Sequence, residues 1–133
     1  MLIEFEVHGK PQPQGSAKAF IPKGWNRAVI TSDNKTLKPW RQDVSQVAQQ
    51  AMRGASATES PVSVSVTFRF ARPRSVKASV AHKTTKPDVD KLLRSILDSM
   101  TGIVFRDDAQ VVCLVGQKEF SAVEGATVRV RTI

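Results

Sequence analysis

A chain of 133 residues, 41% of them hydrophobic, can bury one core, and this composition excludes a disordered protein. Its formal net charge of +8 favours a polyanionic partner. One cysteine excludes an internal disulfide and fits a cytoplasmic location, and no apolar run approaches the about 20 residues of a membrane span. We therefore expect a single domain, residues 1–133, with no membrane partner.

The first 31 residues combine a strand, a loop and a hairpin. Residues 2–7 alternate between apolar and polar and predict a strand, while two prolines and two glycines in residues 9–18 predict a loop. Residues 19–21 and 28–31 predict a short hairpin around Trp25. We expect Trp25 to pack against the core, with stacking on a base as the alternative. Four basic residues make this region a candidate DNA-contact surface: Lys10, Lys18, Lys23 and Arg27.

The middle of the chain predicts a helix, a strand and a basic loop. Residues 37–52 predict the first helix, with Pro39 in its first turn. Residues 62–70 alternate strictly and predict a strand. Residues 72–86 have no periodicity and no acidic residue, which predicts a mobile DNA-binding loop, although basic residues can also serve solubility alone. Its basic residues are Arg72, Arg74, Lys77, Lys83 and Lys86.

Two acidic pairs flank the second predicted helix. Apolar residues from Val89 to Met100 recur at the i, i+3, i+4, i+7 spacing of one helical face, and Thr101-Gly102 ends the pattern. Asp88 and Asp90 lie at the start of this helix, and Arg94 follows Asp90 by one turn on the same flank. Asp107 and Asp108 precede the next predicted strand.

The acidic residues have two interpretations. Carboxylates from one helix end and one strand end could hold Mg²⁺, which needs only one or two of them besides water and phosphate. Alternatively, an Asp at a helix start is a cap, and Asp-Asp before a strand is a turn. The spacing by itself leaves both interpretations open.

The C-terminal part predicts two strands. Residues 110–120 predict a central strand whose first half is apolar on both faces, with Cys113 buried. Residues 126–133 predict the last strand, after a turn at residues 124–125. The predicted fold class is therefore α+β: one compact domain with a mixed, largely antiparallel sheet and two main helices.

The run KPDVDKLLRSILDSMTGIVFRDDAQVV, Lys86 to Val112, resembles the signature of the RusA family of Holliday junction resolvases, which are common on prophages. Two positions depart from the family pattern. Lys91 stands where the family usually has Asn, and Arg94 stands where it usually has a catalytically important Lys. The matching positions are Pro87, Asp88, Asp90, Leu92, Leu93, Asp98, Thr101, Asp107, Asp108, Gln110 and Val111.

This resemblance implies a Mg²⁺-dependent endodeoxyribonuclease, with Mn²⁺ as a substitute ion. The implied enzyme is a homodimer that resolves four-way junctions by paired nicks, in DNA recombination and repair. The resemblance further implies that Asp88, Asp90 and Asp108 are catalytic and hold metal, with Asp107 as an additional ligand or a support. Arg94 takes the role of the family Lys, and Lys91 joins the DNA-contacting residues. Two alternatives stay open: a branched-DNA-binding module without strong catalysis, and a less selective flap or single-strand nuclease.

Overall fold

The computed structural model describes residues 1–15, 17–32 and 35–133, with only the backbone described at 17–20 and 29–32. Its regular elements agree with most of the predicted boundaries. A 3₁₀ turn at Asp108–Gln110 precedes the fifth strand. The helices and strands are β1 (Leu2–His8), β2 (Ala17–Phe20), β3 (Val29–Ser32), α1 (Leu37–Met52), β4 (Val62–Phe70), α2 (Val89–Met100), β5 (Val111–Phe120) and β6 (Gly125–Thr132).

The main sheet has four strands in the order β1-β6-β4-β5. β6 pairs antiparallel with both β1 and β4, whereas β4 and β5 are parallel. A parallel pair needs a crossover, and α2 lies within it. β2 and β3 form a separate antiparallel hairpin. The prediction of an α+β fold with a mixed, largely antiparallel sheet and two main helices is confirmed.

The core lies between the two helices and one face of the sheet. β4 places every second side chain in this core, from Val62 to Phe70, because strand residues alternate between faces. α1 contributes a buried stripe that includes Trp40 and Val44, and α2 contributes Leu92 and Ile96. In the described ranges, no helix has the length and apolarity needed to cross a membrane.

The prediction that β5 is a central strand is wrong, because β5 lies at the edge of the sheet. The last strand, β6, inserts between β1 and β4 and takes a central place instead. Cys113 is consequently exposed rather than buried. Val112, Leu114 and Val115 are also exposed, by 62%, 42% and 56%. An apolar run is typical of a buried strand, but periodicity does not determine which neighbours the strand has.

The prediction that Trp25 packs against the core is also wrong. Trp25 is 52% exposed in the connection between β2 and β3. The guanidinium carbon of Arg27 lies 5.7 Å from its ring centroid. The indole therefore presents an aromatic face beside a cation at the protein surface.

Candidate metal and nucleic-acid site

The start of α2 presents two exposed carboxylates. Asp88 occupies the N-cap position, but its side chain makes no capping hydrogen bond. The helix instead begins with the backbone bond from Leu92 N to Asp88 O, 3.1 Å long. Asp90 lies in the first turn and is exposed, like Asp88. The prediction that Asp88 is the N-cap is therefore confirmed for its position, but its carboxylate forms no cap hydrogen bond and remains accessible to a ligand.

The second acidic pair has a different environment at each residue. Asp107 accepts a hydrogen bond from Ala109 N at 2.9 Å, and its own N–H donates to Gln110 Oε1 at 2.8 Å, forming a capping box. Asp108 is exposed, and its carboxylate has no hydrogen bond within the described part of the chain. The prediction of a turn at Asp107 and Asp108 is therefore confirmed, but only the Asp107 side chain has a hydrogen bond within it. Strand alternation does not distinguish the two, because the strand begins only at Val111.

The side chain of Gln110 anchors this turn to the chain that leads into β4. Its Nε2 donates to Thr58 O at 2.9 Å and to Ser60 O at 3.0 Å. The turn is thereby held at the N-terminal ends of β4 and β5, which are parallel neighbours.

The two acidic pairs do not meet within one chain. Because α2 contains 12 residues and rises about 1.5 Å per residue, its ends lie about 18 Å apart. Asp88 is beside the C-terminal half of β5, where Lys118 contacts Pro87, and Asp108 precedes the other end of that strand. Among the described residues, no group of three or more His, Cys, Asp and Glu side chains could hold a metal ion.

Lys118 is a cation beneath the start of α2 that the sequence reasoning missed. Its Nζ donates to Thr85 O at 2.7 Å and to Pro87 O at 2.8 Å. Burial lowers the pKa of the Lys118 ammonium, nearby Lys83 lowers this pKa further, and Asp88 opposes both effects. The available signal was a lysine in phase with Leu114 and Gly116 on one face of the strand.

A cleft of about 460 Å³ separates the N-terminal loop from the start of α2. Hydrogen bonds from Gln14 N to Lys91 O and from Ser95 Oγ to Gln12 O hold this loop against α2. The cleft brings together three of the predicted DNA-contacting residues with one predicted metal ligand. These lining residues are Lys10, Lys86, Lys91 and Asp88.

The predicted basic loop packs against the sheet rather than extending freely. Arg72 donates to the carbonyls of Lys77 and Val80, and its guanidinium carbon lies 4.9 Å from the Phe120 ring centroid. Lys83 N donates to Lys118 O at 3.3 Å, along the outer edge of β5. Arg72 and Lys83 thus have structural contacts, and their DNA contacts stay predictions.

The remaining predicted DNA-contacting residues belong to three parts of the chain. Arg74 and Lys77 are exposed in the loop, and Lys23 and Arg27 are exposed in the β2–β3 connection. The side chain of Lys18 lies outside the described residues. Arg94 is exposed on α2 and forms no ion pair within the described ranges.

Comparison with known proteins gives two similarities over nearly the whole chain. Residues 6–131 match the family model described as "Endodeoxyribonuclease RusA". The chain is also 32% identical over 141 aligned positions to the uncharacterized protein YqaN of Bacillus subtilis (strain 168). That alignment covers 98% of this chain and 96% of YqaN.

Proposed function

The chain belongs to the RusA family of endodeoxyribonucleases, which resolve Holliday junctions, and from this premise we propose that it nicks four-way DNA junctions with the help of a divalent metal ion. We place this activity in DNA recombination and repair in the cytoplasm. The observation that carries the proposal is the exposed carboxylate of Asp88, which caps nothing and faces a cleft lined by three lysines.

The donor set at the start of α2 suits a hard cation. Asp88 and Asp90 offer carboxylate oxygens, the ligands preferred by Mg²⁺, and Mn²⁺ accepts the same ligands. Two carboxylates suffice, because Mg²⁺ keeps several waters when bound to protein. The chemistry that such an ion supplies is activation of the attacking water and stabilisation of the leaving oxygen. Asp88 and Asp90 would hold it, and Arg94 would stabilise charge on the scissile phosphate.

The cleft supplies the substrate-binding part of this proposal. Lys10, Lys86 and Lys91 line it beside Asp88 and would neutralise phosphates on either side of the scissile bond. Arg74 and Lys77, with Lys23 and Arg27, would contact the arms of the junction farther away. Positive residues around a small acidic centre attract DNA, whereas the carboxylates without metal would repel it.

We further propose that the protein works as a homodimer and that Asp108 completes the metal site of the partner subunit. Asp108 and Asp88 are too far apart to bind one ion within one chain, because Asp88 follows Pro87 beside Lys118 near the C-terminal end of β5, whereas Asp108 precedes the N-terminal end of that strand. Each is nevertheless exposed, and the carboxylate of each has no hydrogen bond within the described ranges. A second copy of the chain would bring the two ends together.

The edge of β5 provides a surface for that second copy. Residues 112–115 are apolar or cysteine and are all exposed, and no strand in the described chain pairs with their outer edge. Long exposed apolar edges are prone to pair with another chain, and a two-fold axis pairs identical strands antiparallel. In a pair centred on Cys113, Val111 of one strand would lie opposite Val115 of the other, and the turn at Asp108–Gln110 would lie beyond it, toward residue 118 of the partner. Asp108 would thus lie near the Lys118 and Asp88 end of its partner.

Cleavage assays with three DNA substrates test this function. We expect the protein to nick a labelled four-way junction in Mg²⁺ much faster than a linear duplex, and EDTA to stop the reaction because no water is then activated. Equal cleavage of linear duplex would contradict junction selectivity, and preferred cleavage of a flap would support the less selective nuclease. Tight junction binding without cleavage in Mg²⁺ or Mn²⁺ would support the DNA-binding module.

Arg94 should tolerate Lys but not Gln. Both basic side chains place a positive charge near the phosphate, although Arg offers a bidentate fork and Lys a compact ammonium. We expect Arg94→Lys to keep the cleavage rate within about tenfold and Arg94→Gln to lower it by about 10²-fold, as for the loss of one charge-stabilising donor. Arg131→Gln is the control, because Arg131 is exposed on the opposite face of the sheet. Equal rates for wild type and Arg94→Gln in single-turnover assays would exclude a catalytic role.

A further inference from the structure

Lys118 connects β5 to the segment that leads into α2. Its register partner in β4 is Phe68, which is fully buried, so Lys118 lies on the face of the sheet that carries the core. The side chain crosses from the sheet to the carbonyl oxygens of Thr85 and Pro87, at 2.7 and 2.8 Å. A lysine in this place is costly unless its ammonium finds such acceptors.

The two carbonyls that Lys118 binds belong to residues one and three positions before Asp88. The Asp88 side chain makes no hydrogen bond to the helix it begins, so its orientation depends on the chain that enters α2. Charge-assisted hydrogen bonds from one ammonium to two carbonyls fix that chain at two points. Pro87 and Asp88 also line the cleft.

We infer that Lys118 is a positioning residue for the metal site: it holds the Thr85–Pro87 segment so that the Asp88 carboxylate projects into the cleft. The inference rests on the proposed metal-binding role of Asp88. Positioning outweighs the repulsion between Lys118 and a bound cation, because the ammonium is directed at the backbone carbonyls while Asp88 is exposed to screening solvent. Groups that orient metal ligands typically change metal affinity by about 10- to 100-fold.

Binding of Mn²⁺ to the intact protein without DNA tests this inference, with free Mn²⁺ measured by electron paramagnetic resonance. We expect Lys118→Met to raise the Kd for Mn²⁺ by about tenfold. Lys118→Arg should stay within about threefold of wild type, since guanidinium also donates to carbonyls. Gln117→Met is the matched control, because Gln117 is adjacent in β5 and faces the other side of the sheet. It should leave the Kd unchanged.

A double-mutant cycle distinguishes positioning of Asp88 from a general effect on the fold. If Lys118 acts through Asp88, Lys118→Met should add almost nothing to the increase in Kd caused by Asp88→Asn. Two results would overturn the inference. One is a double variant whose increase in Kd equals the product of the increases in the two single variants, and the other is a Kd for Lys118→Met within about twofold of wild type. Urea unfolding establishes that each variant is folded, and Lys118→Gln replaces Lys118→Met in the cycle if the latter unfolds. Failure of wild type to bind Mn²⁺ would instead overturn the proposed metal site itself.

Discussion

Asp108→Asn is expected to lower cleavage of a four-way junction by about 10³-fold, whereas Asp107→Asn should lower it by no more than about tenfold. The carboxylate of Asp108 has no partner within the described chain, so its proposed use is as a metal ligand. The carboxylate of Asp107 already accepts the hydrogen bond from Ala109 N that closes the turn. An Asn side chain can accept that same bond, because Asn and Asp are equally good N-caps.

Single-turnover cleavage at saturating Mg²⁺ measures the rates of Asp107→Asn and Asp108→Asn, and Asp107→Ala is the control. A cap needs an acceptor and not a charge, so Asp107→Ala should lose about 1 kcal/mol of stability while Asp107→Asn loses little. If Asp107 were a metal ligand, Asn would impair cleavage as severely as Ala. A larger loss for Asp107→Asn than for Asp108→Asn would show that the ligand assignment within the pair is reversed.

A mixture of two inactive variants, Asp88→Asn and Asp108→Asn, is expected to regain cleavage. In the proposed homodimer each site takes Asp88 and Asp90 from one subunit and Asp108 from the other. A heterodimer of the two variants then carries both substitutions in one site and leaves the second site intact. With random exchange, about a quarter of the wild-type sites should return, and each heterodimer should nick one strand only.

The matched control is a mixture of Asp88→Asn with Asp90→Asn. Both substitutions lie on the same side of the proposed shared site, so every dimer in this mixture carries two damaged sites. Differently tagged subunits that purify together establish that exchange has taken place. With exchange established, no recovery in the Asp88→Asn and Asp108→Asn mixture would contradict a site shared between subunits.

Local patterns in the sequence predicted much of the fold. Both main helices and β4 have the boundaries that their periodicity indicates, since a stripe on a helix or an alternation along a strand is a property of neighbouring residues. The motif around Asp88 and Asp108 also identified the family, which the match over residues 6–131 bears out. The roles proposed for its individual residues remain predictions.

Local patterns did not predict which elements become neighbours. The apolar sequence of β5 is typical of a buried strand. In the structure β6 lies between β1 and β4, whereas β5 lies at the edge, so Cys113 and its apolar neighbours are exposed. Strand order depends on contacts between distant parts of the chain, which no window of sequence contains.

The sequence by itself identified the candidate metal-binding carboxylates, the excess of basic residues around them and the helix between the two acidic pairs. Only the tertiary structure decided that these pairs lie apart, because the Asp88 pair is held beside Lys118 in the C-terminal half of β5 and the Asp108 pair precedes the N-terminal end of the same strand. The tertiary structure also decided that the Asp107 side chain closes a turn while the Asp88 side chain forms no cap hydrogen bond, since hydrogen-bond partners depend on exact backbone placement. Only the tertiary structure brought Lys118 to Thr85 and Pro87, because its strand passes beneath residues more than 30 positions earlier in the chain.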